Sequence, residues 1–281
     1  MANIRITSDS TCDLNAISQE RNIGIFPMQI ILDSQSYFDG VDITPQDIFN
    51  FVEETKILPK TCAPSVGDYE EFFEKELKGY DCLIHFNISS RSSGSYNFAV
   101  EASRKFDGKV FVVDSKALST GQGLLVLEAA DMRDAGKSAE EIVATVNEVR
   151  DRINTSFIPD SLEYLHKGGR VSGMVKVVAG LFKIHPLIYM NDGQLVPGEK
   201  YRGKMTQITK QYVQNLKEKY PTYDKRRCFI THSTAERDVV DAMKEAVQEM
   251  FEFDEIIETV AGSVITSHCG KGTIGVLFIY E

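Results

Sequence analysis

Residues 82–106 read CLIHFNISSRSSGSYNFAVEASRKF. The short apolar run Cys82 to Ile88 predicts a strand, and Tyr96 to Phe106 predicts a helix with Ala99, Ala102 and Phe106 on one face. Between them stand five serines in seven residues, Ser89 to Ser95, interrupted by Arg91 and Gly94. A strand that passes through a hydroxyl-rich loop into a helix is half of a βα unit. Repeated units of this kind build a parallel sheet flanked by helices.

The unit recurs on both sides. Ile4 to Thr7, Phe26 to Leu32 and Val110 to Val113 read as strands. Thr44-Pro45-Gln46-Asp47 reads as a helix start, with Thr44 as N-cap, Pro45 in the first turn and Asp47 facing the dipole. Ser65-Val66-Gly67-Asp68 has capping-box spacing, and Ser138-Ala139-Glu140-Glu141 opens a further helix. Gly121-Gln122-Gly123 reads as a tight turn ahead of another helical segment.

From about Thr155 the pattern changes. Met174 to Phe182 reads as an apolar helix, and Asp192-Gly193 between Ile188–Asn191 and Gln194–Val196 reads as a two-residue hairpin turn. Cys228 to Ile230, Glu255 to Val260 and Ile274 to Tyr280 read as strands, with a helix from Glu236 to Phe251. The expectation is two α/β domains. Residues 1–155 carry a mostly parallel sheet with flanking helices, and residues 156–281 a mixed sheet with helices.

The net charge of −10 argues against nucleic acid and anionic membrane surfaces as partners. No stretch is apolar for long enough to insert stably in a membrane, and the start MANIRITSDS has no apolar signal core. The five cysteines form no C-x-x-C pair, which points to reduced thiols and a cytoplasmic setting. Neither Gly270-Lys271-Gly272 nor Gly121-Gln122-Gly123 completes a nucleotide-binding fingerprint, and the five histidines form no metal-binding spacing. No cofactor and no metal are expected.

The serine loop itself has two readings. A serine nucleophile at Ser93 needs a base, and the G-x-S-x-G elbow is missing. A loop at the carboxyl edge of a parallel sheet, ahead of a helix N-terminus and rich in hydroxyl donors, instead favours an anion such as a carboxylate or phosphate. Lys60 to Ser65 is expected to be a second strand-to-helix loop, with Thr61 free to face a ligand, and Asp9-Ser10-Thr11 a third. A serine hydrolase or acyltransferase at Ser93 and a phosphometabolite-binding module stay as alternatives.

The chain resembles the DegV family of fatty-acid-binding proteins, which includes the binding subunit of bacterial fatty acid kinase. The resemblance runs nearly end to end, through Thr7-Ser8-Asp9-Ser10-Thr11 with Asp13-Leu14, Tyr37 to Ile43, Lys60-Thr61 with Pro64-Ser65, and Ser93-Gly94-Ser95-Tyr96. It continues through Val113-Asp114-Ser115, Gly121-Gln122-Gly123, Lys167-Gly168-Gly169-Arg170, and Gly262-Ser263-Val264-Ile265 with His268.

The resemblance implies a long-chain fatty acid such as palmitate, with its carboxylate held by Thr61 and Ser93 and with His268 near the same headgroup. It implies no catalysis by this chain. A separate fatty acid kinase would phosphorylate the presented carboxylate and feed lipid metabolism. Within that picture Ser10, Gly94 and Ser95 support the loops, Gly94 allowing close approach and Ser95 capping the helix. Arg170 and Arg202 match arginines at the family's ligand face and are candidates to contact the kinase or a phosphate. Met174, Val178, Leu181 and Phe182 are candidates to line the acyl tunnel. Cys62, Lys271 and Thr273 depart from the pattern, which expects a small hydroxyl residue, a proline and an alanine there.

Overall fold

In the computed structural model, which describes residues 2–171 and 184–281, the first sheet has four parallel strands. They are β1 (Ile4–Asp9), β2 (Ile23–Phe26), β6 (Cys82–Asn87) and β7 (Val110–Asp114), in the order β2-β1-β6-β7. The chain winds one way from β1 to β2 and the other way to β6. The loops leaving β1 and β6 therefore diverge and open a crevice between them, the usual place for a ligand in a doubly wound sheet.

The strand expected over Phe26 to Leu32 is instead divided. Pro27 has no N–H to donate to a ladder, so β2 ends at Phe26. The chain then enters β3 (Gln29–Leu32), the centre of a small antiparallel sheet with β4 (Gln35–Phe38) on one side. On its other side is β5 (Lys60–Cys62), which the sequence reading placed in a loop. Ile30 pairs with Thr61, so pairing to a strand thirty residues away, not local propensity, makes this segment extended.

The second sheet is mixed. It comprises β8 (Ile153–Asn154), β9 (Ser156–Ile158), β10 (Ile184–Asn191), β11 (Gln194–Arg202), β12 (Arg227–His232), β13 (Glu255–Val260) and β14 (Ile274–Ile279). Its path is β11-β10-β9-β14-β12-β13, with β8 also on β14, and β12–β13 is its parallel pair. The hairpin turns at Asp192-Gly193, both at positive φ (44° and 78°), as a type I′ turn requires. The expected apolar helix Met174 to Phe182 lies outside the described residues.

The helix Thr120–Asp134 lies between the two sheets, packed on β1, β6 and β14. Residues Thr120 to Leu127, Ala129 and Ala130 are buried, which explains why this part of the helix is small or apolar apart from Gln122, while its charged residues fall at Glu128 and in the last turns. Gly121-Gln122-Gly123, read from sequence as a turn, forms its first turn. The glycines serve close packing: a Cβ on Gly123 would stand 2.8 Å from the Cys12 carbonyl oxygen. The three expected helix starts form, and each is a capping box: Ser65/Asp68 as its spacing predicted, and also Thr44/Asp47 and Ser138/Glu141.

Candidate functional site

A cavity of about 400 Å³ opens in the crevice. Its walls come from the loop after β1 (Thr11), from β5 and its exit (Thr61, Cys62, Ala63), and from the serine loop (Ser90 to Gly94). The helix Ser263–Cys269 adds Val264, Ile265 and His268, and Arg170 stands exposed at the rim. The fold thus brings Thr61, Ser93, His268 and Arg170 into one wall from four distant parts of the chain.

Thr61 Oγ1 lies 2.9 Å from His268 Nε2. His268 Nδ1 is buried beside Gly168 and has no hydrogen-bond partner among the described residues. Burial, with Arg170 adding to it, pushes the imidazole down to about 4, so it is neutral at physiological pH. The Ser93 hydroxyl accepts from Ser95 N at 3.2 Å and is 2.7 Å from Ser95 Oγ. Gly94 is the N-cap of the helix Ser95–Ser103 and has no side chain to cap with. Ser95, expected to be the cap, is its first residue, and Ser93 supplies the oxygen in its place.

Asp9 fixes the two loops against each other. Its Oδ1 accepts from Thr11 N, Thr11 Oγ1 and Gln122 Nε2, and its Oδ2 from Ile88 N at 2.8 Å and Asn87 Nδ2 at 3.3 Å. Burial pushes this carboxyl up, and the donors around it pull the other way. Ser89 Oγ donates to the Gly193 carbonyl at 2.6 Å, and Arg91 pairs with Asp192 at 2.7 Å. The hairpin tip of the second sheet therefore rests on the serine loop of the first.

Two expected residues lie elsewhere. Ser10 does not line this cavity; its hydroxyl donates to Asp39 at 2.8 Å and accepts from Met28 N at 3.2 Å, holding the chain where it leaves β2. Arg202 ends β11 opposite Ile184, exposed and outside the cavity wall. The tunnel residues Met174, Val178, Leu181 and Phe182 lie outside the described residues. Of the departures, Cys62 is exposed on the cavity wall, and Thr273 Oγ1 donates to the Cys269 carbonyl at 2.8 Å, closing the end of the His268 helix.

Leu118, Leu195, Ile265 and His268 are shared with a second cavity of about 60 Å³, walled by β9, β12, β14 and the helix Ser263–Cys269. Phe157, Leu165, Ala261 and Leu277 make its surface almost wholly apolar. None of these residues stood out in the sequence, because an apolar residue facing a cavity and one facing the core obey the same periodicity. No Ser93–His hydrogen bond forms among the described residues, and the imidazole on this wall is paired to Thr61. No cluster of three or more metal-ligating side chains is present among them either.

A family model described as "Uncharacterised protein, DegV family" matches residues 3–281. The chain belongs to the DegV family. A DegV domain-containing protein of Caldanaerobacter subterraneus subsp. tengcongensis is 33% identical over 280 residues, 99% of each chain. The fold of this DegV protein matches a Thermus thermophilus structure described as fatty acid binding of a DegV family protein. The TM-score is 0.92, with 28% identity, over 99% of this chain and 100% of that one. A DegV lipid-binding protein of Thermotoga maritima matches with TM-score 0.87 and 30% identity, over 99% of each chain.

Proposed function

We propose that this DegV protein binds a long-chain fatty acid, palmitate being representative, and holds its carboxylate at Thr61 and Ser93. The observation that carries the reading is a hydroxyl-lined cavity with the Thr61–His268 pair on its wall, continuing inward along apolar side chains. The Thermus and Thermotoga relatives, described as fatty-acid-binding and lipid-binding, support the ligand class.

The hydrogen bonds have a consistent direction in this reading. Nε2–H of the neutral His268 donates to Thr61 Oγ1, which leaves the threonine proton for the carboxylate. Ser95 N donates to Ser93 Oγ, and with Ser95 Oγ–H donating to it as well the Ser93 proton is left for the second carboxylate oxygen. A carboxylate in such a cavity requires donors, since an unpaired charge there is costly. About fifteen methylenes buried at roughly 0.8 kcal/mol each contribute about 12 kcal/mol gross, before the cost of ordering the chain and the complex. The tail thus supplies affinity and the hydroxyls supply orientation.

Held this way, the acid keeps its carboxylate near the protein surface and is not consumed. We infer that a separate cytoplasmic fatty acid kinase phosphorylates it there, with Arg170 and Arg202 as cationic contacts for kinase or phosphate, and that this chain is the presenting subunit, not a catalyst. Lipid extraction from the purified protein followed by mass spectrometry tests the binding step. The expected result is a long-chain fatty acid at near one per chain. Protein that is lipid-free as isolated and takes up no fatty acid contradicts the reading. Acyl phosphate forming only when kinase and ATP are added tests presentation; its formation by this chain alone contradicts that step.

A further inference from the structure

The helix Ser263–Cys269 is seven residues long, too short to hold its place through its own hydrogen bonds. Its N-cap is Gly262, which has no side chain to cap with. Two carboxylates from far away in sequence do this instead. Asp13 Oδ1 accepts from Gly262 N at 2.9 Å, and Asp39 Oδ1 accepts from Ser263 N at 2.7 Å. Their remaining oxygens are tied back to the first half of the chain, Asp13 Oδ2 by the Ser119 hydroxyl and Asp39 Oδ2 by Ser10 Oγ at 2.8 Å.

This is an expensive way to cap a helix. Both carboxylates are buried, burial pushes both carboxyls up, and each lies close enough to Gly262 that a Cβ there would stand 3.0 Å from Asp13 Oδ1 and 3.1 Å from both Asp39 oxygens. A single serine or asparagine at the N-cap satisfies an N–H without burying two like charges. What the carboxylate pair adds is a fixed link between this helix and the β1 exit loop and β4 exit, the parts of the fold that also place Thr11 and the small sheet bearing Thr61. Neither carboxylate lines the headgroup cavity.

We propose that Asp13 and Asp39 are positioning residues for the headgroup: a paired carboxylate cap that sets the register of the helix Ser263–Cys269 and so holds His268 Nε2 at hydrogen-bond distance from Thr61. The proposal rests on the fatty-acid reading above. It explains why Ser10, which touches no part of the cavity, belongs to the same arrangement: its hydroxyl orients Asp39. It also gives Gly262 a role, since a side chain there pushes the helix off both caps without removing any charge.

The test compares two ligands with the same tail. Delipidated wild type, Asp39→Asn and Gly262→Ala are titrated with palmitate and with 1-hexadecanol, and each variant is repeated in a His268→Ala background. The expected result is a loss of palmitate affinity of about tenfold in both variants, less than about twofold for hexadecanol, and less than about twofold for palmitate once His268 is gone. Unchanged palmitate affinity overturns the proposal. So does an equal loss for acid and alcohol, or a loss that persists undiminished without His268, because each of these describes general destabilisation and not headgroup geometry. If Asp39→Asn does not fold, Gly262→Ala and Ser10→Ala give the same comparison with both carboxylates retained. Wild type that binds neither ligand overturns the fatty-acid reading itself, an outcome distinct from the others.

Discussion

Thr61 Oγ1 and His268 Nε2 meet at 2.9 Å across 207 residues of chain, joining the small antiparallel sheet to the helix Ser263–Cys269. The bond gives each partner its role: the imidazole finds a partner for one buried nitrogen, and the threonine has its hydroxyl oriented. Thr61→Ala is expected to lower folding stability by about 1–3 kcal/mol, because it strands a second nitrogen of a buried ring. Thr61→Ser restores the bond and most of the stability. Urea denaturation of the two variants checks this.

The neutral imidazole makes stability depend on pH. His268 is pushed down to about 4, while in an unfolded chain it titrates near its ordinary value of about 6.5. The unfolded chain therefore binds this proton first as pH falls. The contribution is full above about pH 6.5 and is lost progressively down to about pH 4, where the loss is on the order of 3 kcal/mol. His85, pushed down to about 3 by burial, acts with the same sign. Asp9, Asp13 and Asp39 act oppositely, because their carboxyls are pushed up and hold protons that the unfolded chain releases above about pH 4. Comparing wild type with His268→Gln isolates the histidine: the variant is expected to lose less stability between pH 6.5 and pH 4.

Ser93→Ala removes the proposed headgroup donor and the oxygen that accepts from Ser95 N. The expected losses are about tenfold in palmitate affinity and about 1 kcal/mol in stability, the latter from the missing helix cap. Calorimetric titration and thermal unfolding read them separately. An intact affinity alongside the stability loss would assign Ser93 to the helix alone.

Gly123→Ala tests how the central helix is seated. The added Cβ meets a backbone carbonyl, Cys12 O, at 2.8 Å, and backbone yields less readily than a side chain. A loss of about 1–3 kcal/mol is expected, with a measurable drop in ligand affinity because the same turn carries Thr11 into the cavity. Chemical denaturation and titration check both.

Much of this was legible in the sequence. The helix starts at Thr44, Ser65 and Ser138 form as read because every capping partner lies within four residues. The serine loop sits at the carboxyl edge of a parallel strand, as the βα pattern requires. What the pattern did not give was non-local. Thr61 is in a strand because Ile30 pairs with it. Asp13 and Asp39 belong to stretches that carry the family resemblance, but their capping role was not legible, since the N–H groups they accept from lie 249 and 224 residues away. Ser95 was read as the cap because serine is a favoured N-cap residue, yet the loop's path puts Ser93 Oγ nearer to the free N–H.

The central claim is that a fatty-acid carboxylate is held by Thr61 and Ser93. Carbon-13 NMR of delipidated protein loaded with palmitate labelled at its carboxyl carbon tests it most directly. The account predicts one bound carboxyl resonance, displaced from free palmitate, that shifts in Thr61→Ala and in Ser93→Ala and is lost or strongly broadened in the double variant. No bound resonance in the wild type, or one that keeps its position in all three variants, would contradict it.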